Sequence, residues 1–98
     1  MNNKRGYLIA RVNITDPVRY ARYMEATPAA IAKHGGRFVV RGGEKVTLEG
    51  PVESRRLVVI EFPSLAQARA FYHSGDYARA RALREGAAEG EFIAVEGA

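Results

Sequence analysis

Four charged side chains lie in segments with strand-like alternation, and together they could bind a small anion or move a proton. Arg11, Arg37, Arg41 and Glu61 share one face if their segments are strands, because alternate residues of a strand point the same way. A guanidinium binds a carboxylate or phosphate through two parallel hydrogen bonds, and a carboxylate can act as a general base. The sequence therefore predicts a candidate site of three cations and one carboxylate.

A structural role for the same four side chains is favoured over a ligand site. Ion pairs are common in interfaces, and Arg37 and Arg41 can also turn outward at the edge of a sheet. In the binding interpretation, Glu61 neutralises one arginine and the others hold a small carboxylate. Three further residues near the predicted second helix can close the mouth of such a pocket: Tyr72, Tyr77 and Arg84.

The first half of the chain has the pattern of a strand, a helix and a second strand. Residues 7–14 alternate like a strand, and Asp16-Pro17 then supplies an N-cap and a proline suited to the first helical position. Gly35-Gly36 ends the helix, and residues 37–41 form another strand-like run.

The predicted first helix carries two tyrosines on its apolar stripe and a proline in its interior. Buried tyrosine hydroxyls need polar partners, so Tyr20 and Tyr23 either reach the edge of the helix or line a partly wet cavity, and the edge position is favoured. Pro28 cannot donate a hydrogen bond to the Met24 carbonyl. It is therefore expected to kink or divide the helix.

The second half repeats the same order of elements. Residues 55–62 form a strand-like run, Ser64 can cap the helix that follows, and Ser74-Gly75 interrupts that helix before a short second one. Residues 91–96 complete the unit. Two such units predict an α+β, ferredoxin-like βαββαβ fold, with a four-stranded antiparallel sheet and the helices on one face.

The two faces of the predicted sheet differ in what they pack against. One face, under the helices, is expected to hold Leu8, Ala10, Val12, Ile14, Phe38, Val40, Val58, Ile60 and Phe62. The other face mixes apolar and charged side chains: Tyr7, Ile9, Arg11, Arg37, Val39, Arg41, Leu57, Val59, Glu61, Ile93 and Val95. Monomers rarely leave a contiguous apolar patch bare. We therefore expect a homodimer in which this open face packs on its copy about a two-fold axis.

Length and composition exclude several classes of protein. The 98 residues suit one domain spanning 1–98, and the net charge of +4, with 12 arginines, implies no more than weak attraction to anions. The absence of cysteine excludes disulfides, thiolate catalysis and sulfur-ligated metals. No apolar run suggests a signal peptide or a membrane span, so a cytoplasmic protein without membrane contact is expected.

The two histidines are expected to cap helices rather than to bind a metal. His34 precedes Gly35-Gly36 and His73 precedes Ser74-Gly75, where an imidazole interacts well with the last carbonyls of a helix. Two such residues without a carboxylate motif make a poor metal site. No metal or other cofactor is expected, although either histidine remains open as an axial haem ligand.

Nucleic acid is not expected as a partner. RNA-recognition domains share this order of strands and helices, but they stack bases on aromatic side chains of the central strands. The corresponding run at residues 56–62 offers aliphatic side chains and the carboxylate of Glu61, which repels phosphate.

The chain as a whole resembles one known family. The elements that carry the resemblance are Tyr7-Leu8-Ile9-Ala10, Asp16-Pro17, Tyr20, Tyr23, His34-Gly35-Gly36-Arg37, Arg41-Gly42-Gly43, Leu48-Glu49-Gly50, Glu61-Phe62-Pro63-Ser64, Phe71-Tyr72, Ser74, Asp76-Tyr77, Arg84 and Glu96-Gly97. In this order they are similar to the family called domain of unknown function 1330. The resemblance implies a dimeric α+β barrel, in which two ferredoxin-like sheets face one another. It supplies no reaction and no catalytic residues, and Gly75 stands where many members have proline.

The sequence thus favours a small homodimeric protein that binds a small, possibly anionic, organic molecule in a pocket between sheet and helices. The alternative is a small cofactor-independent enzyme of the oxygenase or isomerase type, with Glu61 as general base and Arg11 or Arg41 stabilising an oxyanion. This alternative rests on analogy of architecture, and architecture does not fix function.

Overall fold

Seven elements follow one another in the order that the sequence predicts. A computed structural model of the protein describes residues 4–98, and residues 1–3 of the predicted domain lie outside the described residues. The break at Ser74 divides the second helical region in two, as expected. In chain order the elements are β1 (Gly6–Ile14), α1 (Pro17–Lys33), β2 (Arg37–Arg41), β3 (Arg56–Phe62), α2 (Leu65–Tyr72), α3 (Gly75–Ala82) and β4 (Ala88–Glu96).

The four strands form one antiparallel sheet in the order β2-β3-β1-β4. Burial alternates along β1, where Leu8, Ala10 and Val12 are buried beneath the helices and the residues between them are half-buried. The helix α2 packs directly on the sheet, and α3 packs on α1 and α2. This is the ferredoxin-like α+β architecture that the sequence predicts, so the predicted fold class is confirmed.

The two ends of α1 are fixed by the residues that the sequence singles out. The Asp16 carboxylate accepts a hydrogen bond from the Arg19 backbone N–H at 3.1 Å, and Pro17 occupies the first turn. At the other end Gly35 has a φ of +78°, a left-handed conformation that glycine adopts without strain. None of the helices within residues 4–98 is long and apolar enough to cross a membrane.

Pro28 does not divide α1, which runs without interruption from Pro17 to Lys33. The proline frees the Met24 carbonyl, because it has no N–H to donate to it. A guanidinium nitrogen of Arg41 donates to that carbonyl at 2.9 Å. The expected division of the helix is therefore wrong, and the freed carbonyl instead ties the end of β2 to α1.

Aromatic side chains form the centre of the core between sheet and helices. Phe62, Phe71 and Tyr77 are the largest fully buried side chains. The ring of Phe71 lies 5.2 Å from that of Phe62 and 4.8 Å from that of Tyr77, distances typical of favourable ring contacts. This cluster joins β3, α2 and α3.

A β-bulge in β2 reverses the predicted alternation of that strand. Phe38 lies opposite Ile60, but the register then shifts, so that Val40 lies opposite Val59 and Arg41 opposite Val58. Because cross-strand partners share a face, Arg41 lies on the helix side and Val40 on the open face. The predicted placement of Arg41 on the open face and of Val40 under the helices is wrong, since the alternation cannot reveal one extra residue.

Candidate functional site

The structure divides the predicted site residues between the two sides of the sheet. Those of the open face are Arg11, Arg37 and Glu61. Those of the helix side are Arg41, Tyr72, Tyr77 and Arg84. A four-stranded sheet separates the two groups, so the seven residues do not form one site within a single chain.

Glu61 on the open face already has partners for both of its oxygens. The Arg37 guanidinium lies 3.0 Å from one oxygen, and the Tyr7 hydroxyl donates to the other at 2.9 Å. These two hydrogen bonds, from Arg37 first and Tyr7 second, lower the pKa of Glu61 below its ordinary value. A carboxylate that is stabilised in this way is a weak base, which does not favour Glu61 as a catalytic general base.

Arg11 belongs to an ion-pair network that the sequence does not predict. Its guanidinium lies 3.3 Å from Glu53, which also accepts from Arg55 at 2.9 Å, and Arg55 in turn contacts Glu91. The hydrogen bonds from Arg55 hold the pKa of Glu53 at about 2. Among the described residues, both candidate arginines on the open face, Arg11 and Arg37, therefore have a carboxylate partner.

Acid should weaken the fold in part through Glu53. Its folded pKa of about 2 lies below its ordinary value of 4.5, so its contribution is complete above that ordinary value and is lost as the pH falls toward 2. We expect Glu53→Gln to be less stable than wild type at pH 7 and to lose less further stability between about pH 5 and pH 3. Urea unfolding at each pH measures this, with the exposed Glu49→Gln as control. Equal acid sensitivity of wild type and Glu53→Gln would contradict the expectation.

A second candidate site is a partly open cavity of about 30 Å³ between the sheet and the helices. Its walls are mostly aliphatic and aromatic, and no carboxylate is among them. Its polar groups are three tyrosines, one threonine and two arginines. The lining residues are Leu8, Ala10, Val12, Tyr20, Tyr23, Met24, Thr27, Ile31, Phe38, Arg41, Arg56, Val58, Ile60, Phe71, Tyr77 and Phe92.

Tyr20 and Tyr23 lie in the wall of this cavity rather than at the edge of the helix. Their side chains are 2% and 9% exposed, so the favoured edge position is wrong. The hydroxyls of Tyr23 and Tyr77 are 2.8 Å apart, and either can donate to the other. Burial raises the pKa of Tyr23 far above its ordinary value and that of Tyr20 in the same direction. Both hydroxyls therefore stay protonated and can donate hydrogen bonds.

Two arginines on the helix side carry buried nitrogens without partners. The Nε atoms of Arg56 and Arg84 are buried and have no hydrogen-bond partner within residues 4–98. The Arg84 guanidinium lies 4.8 Å from the ring centre of Phe92 and 5.5 Å from that of Tyr23. Burial opposes the charge of Arg84, but the hydroxyls of Tyr77 and Tyr23 outweigh it and raise its pKa. The helix side thus holds positive charge that no carboxylate of the described chain neutralises.

Arg56 could have been recognised from the sequence as a cavity residue. It precedes Val58 and Ile60 by two and four positions, so the alternation of β3 places it on the helix side with them. The pairing of Tyr23 with Tyr77 joins residues 54 positions apart and has no such local signal. Tyr72 borders the cavity wall, with its ring 5.2 Å from that of Tyr77 and 5.9 Å from that of Phe92.

The histidines occupy the helix ends that the sequence predicts. His34 is the C-cap of α1 and His73 the C-cap of α2. The His34 imidazole lies 3.7 Å from the Asp76 carboxylate and packs on the ring of Phe71. Within residues 4–98, no group of three or more potential ligands is arranged to hold a metal ion.

Comparison with known proteins identifies the family. The family described as Domain of unknown function (DUF1330) matches residues 5–98. The chain belongs to the DUF1330 family. Among curated proteins, none matches this DUF1330 chain in sequence.

Solved structures similar to the DUF1330 chain share its fold at low sequence identity. A protein of unknown function from Rhodopseudomonas palustris is 21% identical with a TM-score of 0.70, covering 96% of this chain and 82% of its own. A proposed antibiotic biosynthesis monooxygenase from Nitrosomonas europaea is 12% identical with a TM-score of 0.62, covering 99% and 92%. A dimeric ferredoxin-like protein of unknown function from Thermobifida fusca is 18% identical with a TM-score of 0.55, covering 100% and 93%. At these identities the likeness shows the fold alone.

Proposed function

We propose that this DUF1330 protein is a homodimer that binds a small organic molecule in the cavity between its sheet and helices. The observation that carries the proposal is the composition of that cavity. Apolar walls surround buried tyrosine hydroxyls and two guanidinium groups, with no carboxylate among the lining residues. Small-molecule sites are typically concave and apolar, with a few placed polar groups that orient the ligand.

The cavity must widen to admit such a molecule. Its present volume of about 30 Å³ suits one or two water molecules, whereas ligand pockets are typically about 300–1,000 Å³. Arg41 is exposed, and Met24 is a half-buried, unbranched side chain. Both line the cavity next to α1, so we propose that the ligand enters by displacing these two side chains.

The open face supplies the argument for a dimer. Ile93, Val95 and Val40 are 53%, 44% and 38% exposed on this face, beside the half-buried Ile9 and Val59. A second copy packed about a two-fold axis would cover this apolar surface. The charges around it already form ion pairs within the chain, which lowers the cost of burying them. The similar protein from Thermobifida fusca is described as dimeric.

A charge among the exposed aliphatic side chains of the open face is expected to separate the dimer. Ile93 lies on the edge strand β4, opposite Ile9 of the central strand β1, so Ile93→Asp would place an unpaired carboxylate in the interface. Light scattering at about 10 micromolar should give a dimer for wild type and a monomer for Ile93→Asp. The matched control is Leu48→Asp, because Leu48 is 87% exposed in a connecting segment. A monomeric wild type at this concentration would contradict the proposal.

Loss of bound material from a cavity-filled variant tests the binding function. Ala10 is 4% exposed and lines the cavity, so Ala10→Val adds two methyl groups to the space that the ligand would need. Small molecules released by denaturing gently purified protein are identified by mass spectrometry. We expect a defined compound from wild type and from the control Ala94→Val, whose site is exposed on β4, and none from Ala10→Val. Equal release from all three would contradict the proposal.

Catalysis is a second candidate, favoured by the hydroxyl pair of Tyr23 and Tyr77. Burial raises the pKa of Tyr23, and the two paired hydroxyls lie in the wall, where one of them can donate a hydrogen bond to an oxyanion forming on a bound molecule. A cofactor-independent oxygenase or isomerase would use such a group, and one structural neighbour is described as a proposed monooxygenase. Conversion of the released compound on incubation with wild type, but not with Tyr23→Phe, would support catalysis. Its unchanged recovery would support binding alone.

A further inference from the structure

The arginines of this protein differ sharply in whether a carboxylate accompanies them. Arg11, Arg37, Arg55 and Arg79 each lie within 4 Å of a carboxylate oxygen. The arginines that line or border the cavity have no ion pair within residues 4–98: Arg41, Arg56 and Arg84. Other arginines without an ion pair among the described residues, such as Arg22 and Arg81, are exposed to solvent, whereas the Nε atoms of Arg56 and Arg84 are buried at this cavity.

We infer that the cavity takes a monocarboxylic acid with an apolar body, whose carboxylate is bound by Arg56 and Arg41. The inference rests on the proposed binding function and names the chemical class of its ligand. A carboxylate oxygen would satisfy the buried Arg56 Nε, which otherwise lacks a hydrogen-bond partner. It would also supply the negative charge that the lining residues lack.

The Arg56 guanidinium lies close against Gly42, the residue that follows β2. A side chain at Gly42 would begin 2.2 Å from the Arg56 Nη1, so the guanidinium packs directly against the glycine backbone. The other neighbour is Tyr20, whose pKa the charge of Arg56 lowers against the larger effect of burial. A guanidinium packed against neighbours in this way has less conformational freedom to lose on binding than a fully exposed one.

Arg41 is placed at the same cavity by the two irregular features of the chain. The bulge in β2 turns its side chain to the helix side, and the carbonyl freed by Pro28 accepts its hydrogen bond at 2.9 Å. Its guanidinium also lies 4.3 Å from the ring centre of Phe38. Within residues 4–98 this hydrogen bond uses one of the five guanidinium donors of Arg41 and leaves others available to a carboxylate.

The walls select against an anion without an apolar part. Val58, Ile60, Phe71 and Phe92 surround the interior, so an inorganic phosphate bound at the arginines would leave this surface unfilled. The Tyr23 and Tyr77 hydroxyls share one hydrogen bond, which leaves one hydroxyl hydrogen free to donate to the far end of the ligand. Aromatic and aliphatic acids match the apolar walls, and an acid with a hydrogen-bond acceptor at its far end would also match the free hydroxyl.

Matched acids and amides test the inference on the full chain. Benzoate and hexanoate are titrated to about 10 mM beside benzamide, hexanamide and inorganic phosphate, and ¹H–¹⁵N spectra record backbone amides and arginine Nε–H groups. We expect at least one acid to shift the Arg56 Nε–H signal and to bind at least about tenfold more tightly than its amide. Arg56→Gln should reduce that acid's affinity at least about tenfold and change the amide's affinity less than about twofold. The control Arg22→Gln removes the same charge from an exposed position of α1 and should leave both unchanged.

Each other outcome overturns the inference. Equal binding of acid and amide at the cavity would overturn it while leaving the proposed binding function intact. An equal effect of Arg56→Gln and Arg22→Gln would mean that only net charge matters, and equal binding of phosphate would remove the requirement for an apolar body. If no acid shifts a cavity signal, the inference fails and the compound released from wild type still decides the proposed function. Arg56→Lys, which keeps the charge but loses the planar fork, replaces Arg56→Gln if the latter does not fold.

Discussion

Phe71→Ala is expected to lower the free energy of unfolding by about 3–5 kcal/mol. The Phe71 side chain is fully buried, and its ring contacts those of Phe62 and Tyr77. Removing the ring exposes both neighbours to a void that the surrounding strands and helix cannot fill by moving. Folded domains are stable by only about 5–15 kcal/mol, so the loss is a large share of the total. Urea unfolding followed by circular dichroism measures it.

The control for Phe71→Ala is Leu48→Ala, because Leu48 is 87% exposed. Its expected effect is within about 0.5 kcal/mol. A loss below about 1.5 kcal/mol for Phe71→Ala would contradict the described core, since it would mean that the site collapses freely.

Gly6→Ala is expected to destabilise the protein by about 3 kcal/mol or more, at the upper end of what overpacking costs. A Cβ at Gly6 would stand 2.4 Å from the Ser64 carbonyl oxygen and 2.5 Å from the Leu65 nitrogen. Both are backbone atoms at the start of α2, where the Ser64 hydroxyl caps the helix by accepting from Gln67 at 3.1 Å. Because both close atoms belong to the backbone, rotation of a side chain cannot relieve the clash. Its relief therefore requires β1 and α2 to move apart.

Gly43→Ala gives a matched comparison for Gly6→Ala. No atom lies within 4 Å of the Cβ that it would add, and Gly43 does not have a positive φ. We expect Gly43→Ala to leave stability unchanged or to raise it by up to about 1 kcal/mol, through a smaller entropy of the unfolded chain. Similar unfolding midpoints for the two variants would contradict the close approach of β1 to α2.

The fold could be predicted because its signals are local. Asp16 caps α1, Ser64 caps α2 and Gly35 ends α1, each as the residue type suggests. The alternation of apolar residues correctly predicts which side chains of β1 and β3 lie on each face of the sheet. It failed in β2, where a single extra residue changes the face of every later side chain while the composition of the strand stays the same.

The candidate site could be predicted only in part, because its geometry depends on contacts between distant segments. The sequence predicts Arg41, Tyr77 and Arg84 as candidates, but it places them in the same site as Arg37 and Glu61, which lie on the opposite side of the sheet. Glu53, the partner of Arg11, lies in the segment before β3. No periodic pattern in that segment predicts which way its side chain points.

The two faces of the sheet divide the proposed roles between them. The open face has exposed aliphatic side chains and paired charges, as an interface requires. The helix side has a cavity, buried hydroxyls and guanidinium groups that form no ion pair within residues 4–98, as a site for an anionic ligand requires. Because each copy of the chain has its own helix side, a dimer built through the open face would contain two separate cavities.

The number of ligands in each dimer tests this division most directly. Native mass spectra of gently purified protein report assembly and bound mass together, against a protomer mass of 10.8 kDa. We predict a dimer that carries two copies of one small molecule, reduced to an empty dimer by Ala10→Val. One molecule shared by each dimer would place the site between the open faces, and a ligand retained by Ala10→Val would place it outside the cavity. Either result would contradict the account.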